Sequence, residues 1–314
     1  MKLSAIDQRL ETQLRDLYTR HLERSAKIDW SYHDLIPWER GRNFRTDPWA
    51  PDQVAISPEL SVAVETALLT EINLPWFTTG LTDIFRGSLE VLQDFIRTWT
   101  SEEDQHSTVL ETYLLVTRNT DPRRLHRLHK AVVRNAWTPG EATPFVGMAY
   151  TSIQELATQS FYIRVADAAQ KEDPQLALIL RTLAKDETLH YVFYRDAVKA
   201  HLDLNPNYVW PLAEVLMDFA MPGHMMPDFK DRVQIIAAHA NYGIAEFYNQ
   251  VIGVLTDYWG LRRLQPTLPE AQAAQARMNK YLDWQARLAA IADKARARGA
   301  TRVPVSASTL LARD

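Results

Sequence analysis

Apolar residues along this chain recur at three- and four-residue steps almost from end to end, the period of helices with one buried face. The pattern predicts a first helix over residues 3–24. Residues 25–56 have no clear period but hold Trp30, Trp38 and Trp49 among prolines and a glycine, which reads as an ordered surface segment. Ser57-Pro58 is a helix start, a capping hydroxyl ahead of proline at the first helical position. That helix is expected to reach Gly87, loosened near Pro75, which cannot donate to the Glu71 carbonyl. Ser88 is expected to cap the next helix, which continues to about Arg118. A basic helix then runs to Trp137, and Pro139-Gly140 breaks the chain. Further helices are predicted over 143–170, 174–202, 208–220, 229–257 and 268–298. No strand pattern competes with them. The expectation is one all-α domain over residues 1–300, with a frayed tail over 301–314.

Two of these helices carry ionisable residues on the stripe that should face the core. In one the stripe reads Leu92, Phe95, Trp99, then Glu103 and His106, then Leu110 and Tyr113. In the other it reads Leu176, Leu180, Leu183, then Glu187 and His190, then Tyr194 and Val198. Residues at these steps share one helix face. Both pairs are Glu-x-x-His, and each follows another glutamate by 32 positions, Glu71 before Glu103 and Glu155 before Glu187. The whole set is therefore repeated at an offset of 84: 71 and 155, 103 and 187, 106 and 190. A buried carboxylate needs a cationic partner, and no lysine or arginine occupies these stripes. One Glu from each of two helices and a Glu-x-x-His from each of two others is the ligand set of a carboxylate-bridged metal pair in a four-helix bundle. Carboxylate and imidazole donors suit iron or manganese. The remaining histidines, His21, His33, His126, His129, His201, His224 and His239, lack this spacing and receive no ligand role.

Composition narrows the field. The 314 residues are 46% hydrophobic with only 10 glycines, which suits a helical protein with a substantial core. A net charge of −4 gives no ground for general nucleic-acid affinity. Cysteine is absent, which rules out disulfides, zinc-thiolate sites and a cysteine nucleophile, and suits a cytoplasmic location. The first residues mix acids and bases without an apolar signal core, and no stretch approaches the ~20 apolar residues of a membrane span.

Several motifs sharpen the reading. Trp99-Thr-Ser-Glu-Glu-Asp-Gln-His106 resembles the W-T-A-E-E-N-R-H of the soluble acyl-acyl carrier protein desaturases, departing from it at Asp104-Gln105. Thr70 to Pro75 is similar to their T-E-E-A-L-P, Gln154 to Thr158 to their Q-E-R-A-T, and Asp186 to His190 to their D-E-x-x-H. Tyr113 to Arg118 and Met221 to Phe229 resemble segments of actinobacterial members. The resemblance spans about residues 25–260. It implies a ferritin-like four-helix core with additional helices, some nine to eleven in all, and two iron ions per chain. Glu71, Glu103, His106, Glu155, Glu187 and His190 would be the ligands, with Glu103 and Glu187 bridging.

The reaction implied is O2-dependent insertion of a cis double bond into a saturated acyl chain in fatty acid biosynthesis. The chain arrives on acyl carrier protein, the electrons come from reduced ferredoxin, and the enzyme is a homodimer. Thr158 matches the family threonine at the oxygen-binding face, with proton transfer as its implied role; the plain alternative is a helix threonine bonded to its own backbone. Asp186 and Trp49, in a W-x-P, resemble the family's route for electrons, with Trp38 a competitor for the indole role. Arg118, Arg123, Arg124, Arg127, Lys130 and Arg134 form a candidate surface for an acidic carrier; Arg287, Lys294, Arg296 and Arg298 form a second. Hydroxylation of a carrier-bound chain, ferritin-like iron handling and a non-catalytic carrier-binding paralogue are the competing readings.

Overall fold

The computed structural model describes residues 3, 6–135 and 142–298. Trp137, Pro139-Gly140 and the tail lie outside the described residues. No strand occurs among those described. Besides a single α-turn at Tyr32–Leu35, the helices are α1 (Glu11–Ser25), α2 (Pro58–Glu71), α3 (Leu74–Ile84), α4 (Glu90–Val116), α5 (Pro122–Arg134), α6 (Pro144–Ala169), α7 (Pro174–Leu204), α8 (Val209–Asp218), α9 (Phe229–His239), α10 (residues 244–259, with a π-helical turn at Tyr248–Ile252) and α11 (Pro269–Ala297).

Caps explain most of the boundaries. The Ser57 hydroxyl accepts the Leu60 amide at 3.3 Å, the Asp121 carboxylate accepts the Arg123 amide at 2.8 Å, and Asp173 accepts the Gln175 and Leu176 amides at 3.0 and 3.1 Å. Each is followed by proline in the first helical turn.

Four expectations need correction. The helix expected over 57–87 is two: α2 stops at Glu71 and α3 restarts at Leu74, with Pro75 inside its first turn. Ser88 does not cap α4. Its hydroxyl donates to the Phe85 carbonyl at 2.6 Å, and Gly87, at φ +74°, turns the chain. The first helix begins later than residue 3. Asp7 caps a 3-10 turn over Gln8–Leu10, and the α-helix follows from Glu11. The helix expected over 229–257 breaks at 240–243. Asn241 sits in the left-handed region at φ +50°, which asparagine tolerates. The Glu246 carboxylate then accepts the Gly243 amide at 3.0 Å and opens α10.

α2, α4, α6 and α7 form the bundle. Four residues join α6 to α7, so these two are antiparallel neighbours. The core divides into two apolar halves. One holds Phe95, Trp99, Met148, Ile153, Phe193 and Tyr194; the other holds Leu68, Leu110, Tyr113, Tyr162, Leu176 and Leu183. α4 and α6 run from the first half into the second, while α7 runs the opposite way. α4, α6 and α7 therefore cross the boundary between halves at the glutamates and histidines singled out above, and α2, packed in the second half, ends there at Glu71. Each fully buried large side chain in either half stabilises the fold by roughly 1.5–3 kcal/mol. The polar layer is held inside two blocks of apolar packing.

Candidate metal centre

Glu71 lies at the last residue of α2, Glu103 and His106 in mid-α4, Glu155 in mid-α6, and Glu187 and His190 in mid-α7. All six are buried, both imidazoles completely. Their donor atoms form two overlapping groups, each within a 4.8 Å span: Glu71, Glu103, His106 and Glu187, and Glu103, Glu155, Glu187 and His190. Glu103 and Glu187 belong to both. One Glu103 oxygen lies 3.1 Å from His106 Nδ1 and the other 2.8 Å from His190 Nδ1, so a single carboxylate spans the two halves. His106 Nδ1 is also 3.8 Å from Glu71 and 3.4 Å from Glu187; His190 Nδ1 is 3.6 Å from Glu155.

The cluster is electrostatically incomplete. Among the described residues no lysine or arginine pairs with the four carboxylates. Burial, reinforced by the charges of Glu103 and Glu155, pushes the Glu187 carboxyl well above its usual range. Burial likewise raises Glu71, against the pull of His106. Burial also acts on Glu103, but His106 and His190 outweigh it and hold that carboxyl below the usual range. Burial lowers both imidazoles, yet the surrounding carboxylates reverse this and push them well above the ordinary value. Six groups compete for positive charge in a volume that excludes water. Three atoms aimed inward, His106 Nδ1, His190 Nδ1 and Glu155 Oε1, are buried without a hydrogen bond. A divalent cation in each half would satisfy all three, so the donor set fits a metal pair.

The outer nitrogens of the two histidines are held in matching ways. His106 Nε2 faces Asp186 Oδ2 at 3.4 Å, and Asp186 in turn accepts the Trp30 indole N–H at 2.9 Å. His190 Nε2 faces Glu102 Oε2 at 3.0 Å. A carboxylate only accepts, so each Nε2 keeps a proton, and Nδ1 is the nitrogen whose proton a bound cation would displace. Tyr162 donates its hydroxyl to Glu71.

Some sequence expectations land elsewhere. Trp49 does not reach Asp186; its indole N–H donates to the Arg118 carbonyl at 3.0 Å. Trp38 is half exposed and bonds the His33 carbonyl. Trp30 takes the place beside Asp186, and it lies in the same aperiodic segment, where spacing carries no information. Glu102 was missed as well, although the 84-residue offset that relates the six clustered residues also relates Glu102 to Asp186. Thr158 bonds the Gln154 carbonyl of its own helix at 3.1 Å while lining the cavity beside Glu71. Asp104 is exposed and Gln105 half-buried, and neither joins the cluster, so the departures from the motif fall outside it. Arg118 belongs to no surface patch. It is buried at φ +60°, bonding Gln53 and the Asp47 carbonyl. Arg124 is tied to Glu65, which leaves Arg123, Arg127, Lys130 and Arg134 exposed on α5. On α11, Arg296 pairs with Glu246.

An apolar cavity opens beside the cluster. Glu71, Thr158 and Tyr162 form its inner end, and Ala67, Phe161, Met221, Phe229, Val233 and Ile236 are among its walls. A second, smaller space touches Glu71, Glu103, Glu187 and Thr158 from the other side and is closed by Leu74, Phe77 and Trp99. The two spaces share Thr70, Glu71 and Thr158.

The chain is 32% identical over 262 residues to the Mycobacterium tuberculosis protein named acyl-(acyl-carrier-protein) desaturase DesA1, covering 80% of this chain and 76% of that one. It is 30% identical over 282 residues to the chloroplastic stearoyl-(acyl-carrier-protein) 9-desaturase 6 of Arabidopsis thaliana, covering 78% and 72%. The X-ray structure titled for the acyl-ACP desaturase DesA2 of M. tuberculosis H37Rv superposes with a TM-score of 0.64 at 25% identity, over 84% of this chain and 97% of that one. The fatty acid desaturase family matches residues 3–310, and the chain belongs to that family.

Proposed function

We propose that the protein inserts a double bond into a saturated acyl chain carried on acyl carrier protein, at a centre of two iron ions. The observation that carries this reading is a pair of metal-ligand groups sharing Glu103 and Glu187, set against an apolar cavity. The relatives named as acyl-carrier-protein desaturases supply the substrate class. The overall change converts –CH2–CH2–, O2, two electrons and two protons to –CH=CH– and two waters. The electrons come from a one-electron donor such as reduced ferredoxin. An unactivated C–H bond offers no acid–base handle, so the iron pair supplies the oxidising chemistry.

The protein's own residues do the rest. Glu71, Glu103, His106, Glu155, Glu187 and His190 hold the metals. Asp186 and Glu102 fix the two imidazole rings. Asp186, with Trp30 behind it, is also the start of a path for electrons from the surface. Phe161, Phe229, Val233 and Ile236 exclude water and hold the alkyl chain at one register. Thr158, between the cavity and the cluster, is placed to pass a proton. The exposed bases of α5, Arg123, Arg127, Lys130 and Arg134, offer an acidic carrier a complementary face. Among the described residues no helix is long and apolar enough to cross a membrane. A homodimer in the cytoplasm completes the reading.

The test is O2 uptake by iron-loaded protein with reduced ferredoxin. Uptake should depend on acyl carrier protein thioester and cease when the thioester is consumed. Stoichiometric uptake without thioester, ending in accumulated ferric iron, would replace this reading with iron handling.

A further inference from the structure

The two histidines of the centre are braced by different chemistry. Behind His106 stand Asp186 and then Trp30, whose ring stacks on His106 with centroids 6.4 Å apart and planes 24° apart. Behind His190 stand Glu102 and then His21, whose ring stacks on His190 with centroids 6.1 Å apart and planes 27° apart. Glu102 Oε2 lies 3.0 Å from both His190 Nε2 and His21 Nε2, and Ser25 Oγ donates to Glu102 Oε1 at 2.5 Å. Each carboxylate immediately precedes a shared glutamate, and each holds the histidine of the opposite helix.

His21 is out of place by ordinary helix logic. It extends the buried face of α1, after Leu14 and Leu17, and is itself buried. An apolar residue would pack there at no cost in desolvation. Phe95 packs edge-on against its ring with centroids 5.0 Å apart, which fixes the direction of Nε2. The face of α1 that meets α4 and α7 thus ends in an imidazole aimed at Glu102.

We infer that α1 is part of the metal site: Glu102, oriented by His21 and Ser25, is a positioning residue that fixes the His190 ring and sets the affinity and ligand field of the His190 half of the centre. This rests on the two-metal reading above. Trp30 and Asp186 do the same for the His106 half, so the two metal positions are separately braced and chemically inequivalent. One brace ends in an indole and the other in an imidazole and a hydroxyl.

The test is anaerobic ferrous titration of the full chain, with Mössbauer spectra of isotopically enriched iron, for the wild type, Glu102→Gln, His21→Ala, the double variant and Asp186→Asn. The expected result is that Glu102→Gln and His21→Ala each weaken one of two iron equivalents by about 10–100-fold and perturb one quadrupole doublet. The double variant should be no weaker than Glu102→Gln alone, and Asp186→Asn should perturb the other doublet. An unchanged second equivalent and spectrum in His21→Ala overturns the inference, however Glu102→Gln behaves. Equal loss of both equivalents with a lowered melting temperature overturns it too, because a merely structural role does that. A wild type that binds no iron defeats the two-metal reading instead.

Discussion

The cavity wall formed by α9 depends on one buried ion pair, and its removal should be costly in a particular order. Arg232 and Glu65 are each only 7% exposed at their side chains and meet at 2.6 Å. The Arg232 guanidinium also donates to Thr66 Oγ1 and the Pro227 carbonyl, both at 3.2 Å, which pins α9 and the turn before it onto α2. Glu65 holds a second partner, Arg124, which is half exposed. Replacing Glu65 with leucine strands a buried guanidinium, and stranding one member of a buried pair costs about 3–5 kcal/mol. Replacing Arg232 with methionine leaves Glu65 still paired with Arg124. The expected cost is then nearer the roughly 1.5–3 kcal/mol of a charged hydrogen bond. The double variant Glu65→Leu/Arg232→Met leaves only Arg124, which can turn to water, and should be nearly as stable as the wild type. Urea unfolding of the four proteins gives a coupling energy, expected to be about 4.5–8 kcal/mol because the two single losses are set against a nearly neutral double variant. Additive single-variant losses, with coupling under about 0.5 kcal/mol, would refute the reasoning that this pair anchors the wall.

Other consequences follow from single contacts. Tyr162→Phe removes the hydroxyl that Glu71 accepts, and iron affinity measured by anaerobic titration should fall about tenfold or more while the melting temperature changes little. Gly223→Ala places a methyl 2.9 Å from the Phe229 ring, pushing it into the cavity; kcat/KM should fall more for long acyl chains than for short ones in a competition assay. His201 accepts the Asp7 amide at Nε2 and faces the Ala197 carbonyl with Nδ1, and burial lowers its pKa below the ordinary 6.5. The unfolded chain therefore takes up a proton there first, so stability should fall as pH drops below about 6.5, and His201→Gln should flatten that slope in melting curves. Asp173 acts with the same sign in a more acidic window. Burial raises its carboxyl, but Arg40 and the α7 amides outweigh this and hold it low, so its stabilisation is present above about pH 4 and is lost in more acidic solution.

The six clustered glutamates and histidines were legible because metal chemistry imposes spacing that survives without a structure. A Glu-x-x-His on a core-facing stripe contradicts burial rules unless a cation answers it, and the repeat at 84 residues doubled the signal. Helix ends were legible where a cap and a proline coincided, as at Ser57, Asp121 and Asp173. They were misread where a local competitor won, as when Ser88 bonded backward to Phe85 and Asn241 took the left-handed conformation. Trp30 could not be chosen over Trp49 and Trp38 because contacts across 156 residues leave no period in an irregular segment. The cavity wall on α9 was hidden for the same reason, since it needs α2, α6 and α9 brought together in space. Glu102 was within reach of the sequence. Applying the 84-residue offset one position upstream of each shared glutamate pairs it with Asp186.

The most direct test of the central claim is the mass of the product. Iron-loaded protein, O2 and reduced ferredoxin are combined with a series of saturated acyl carrier protein thioesters, and the released acids are examined by mass spectrometry. The account predicts an acid lighter by two hydrogens, with one double-bond position, abolished in Glu103→Ala and His190→Ala. An acid heavier by one oxygen would contradict it and identify a hydroxylase on the same scaffold.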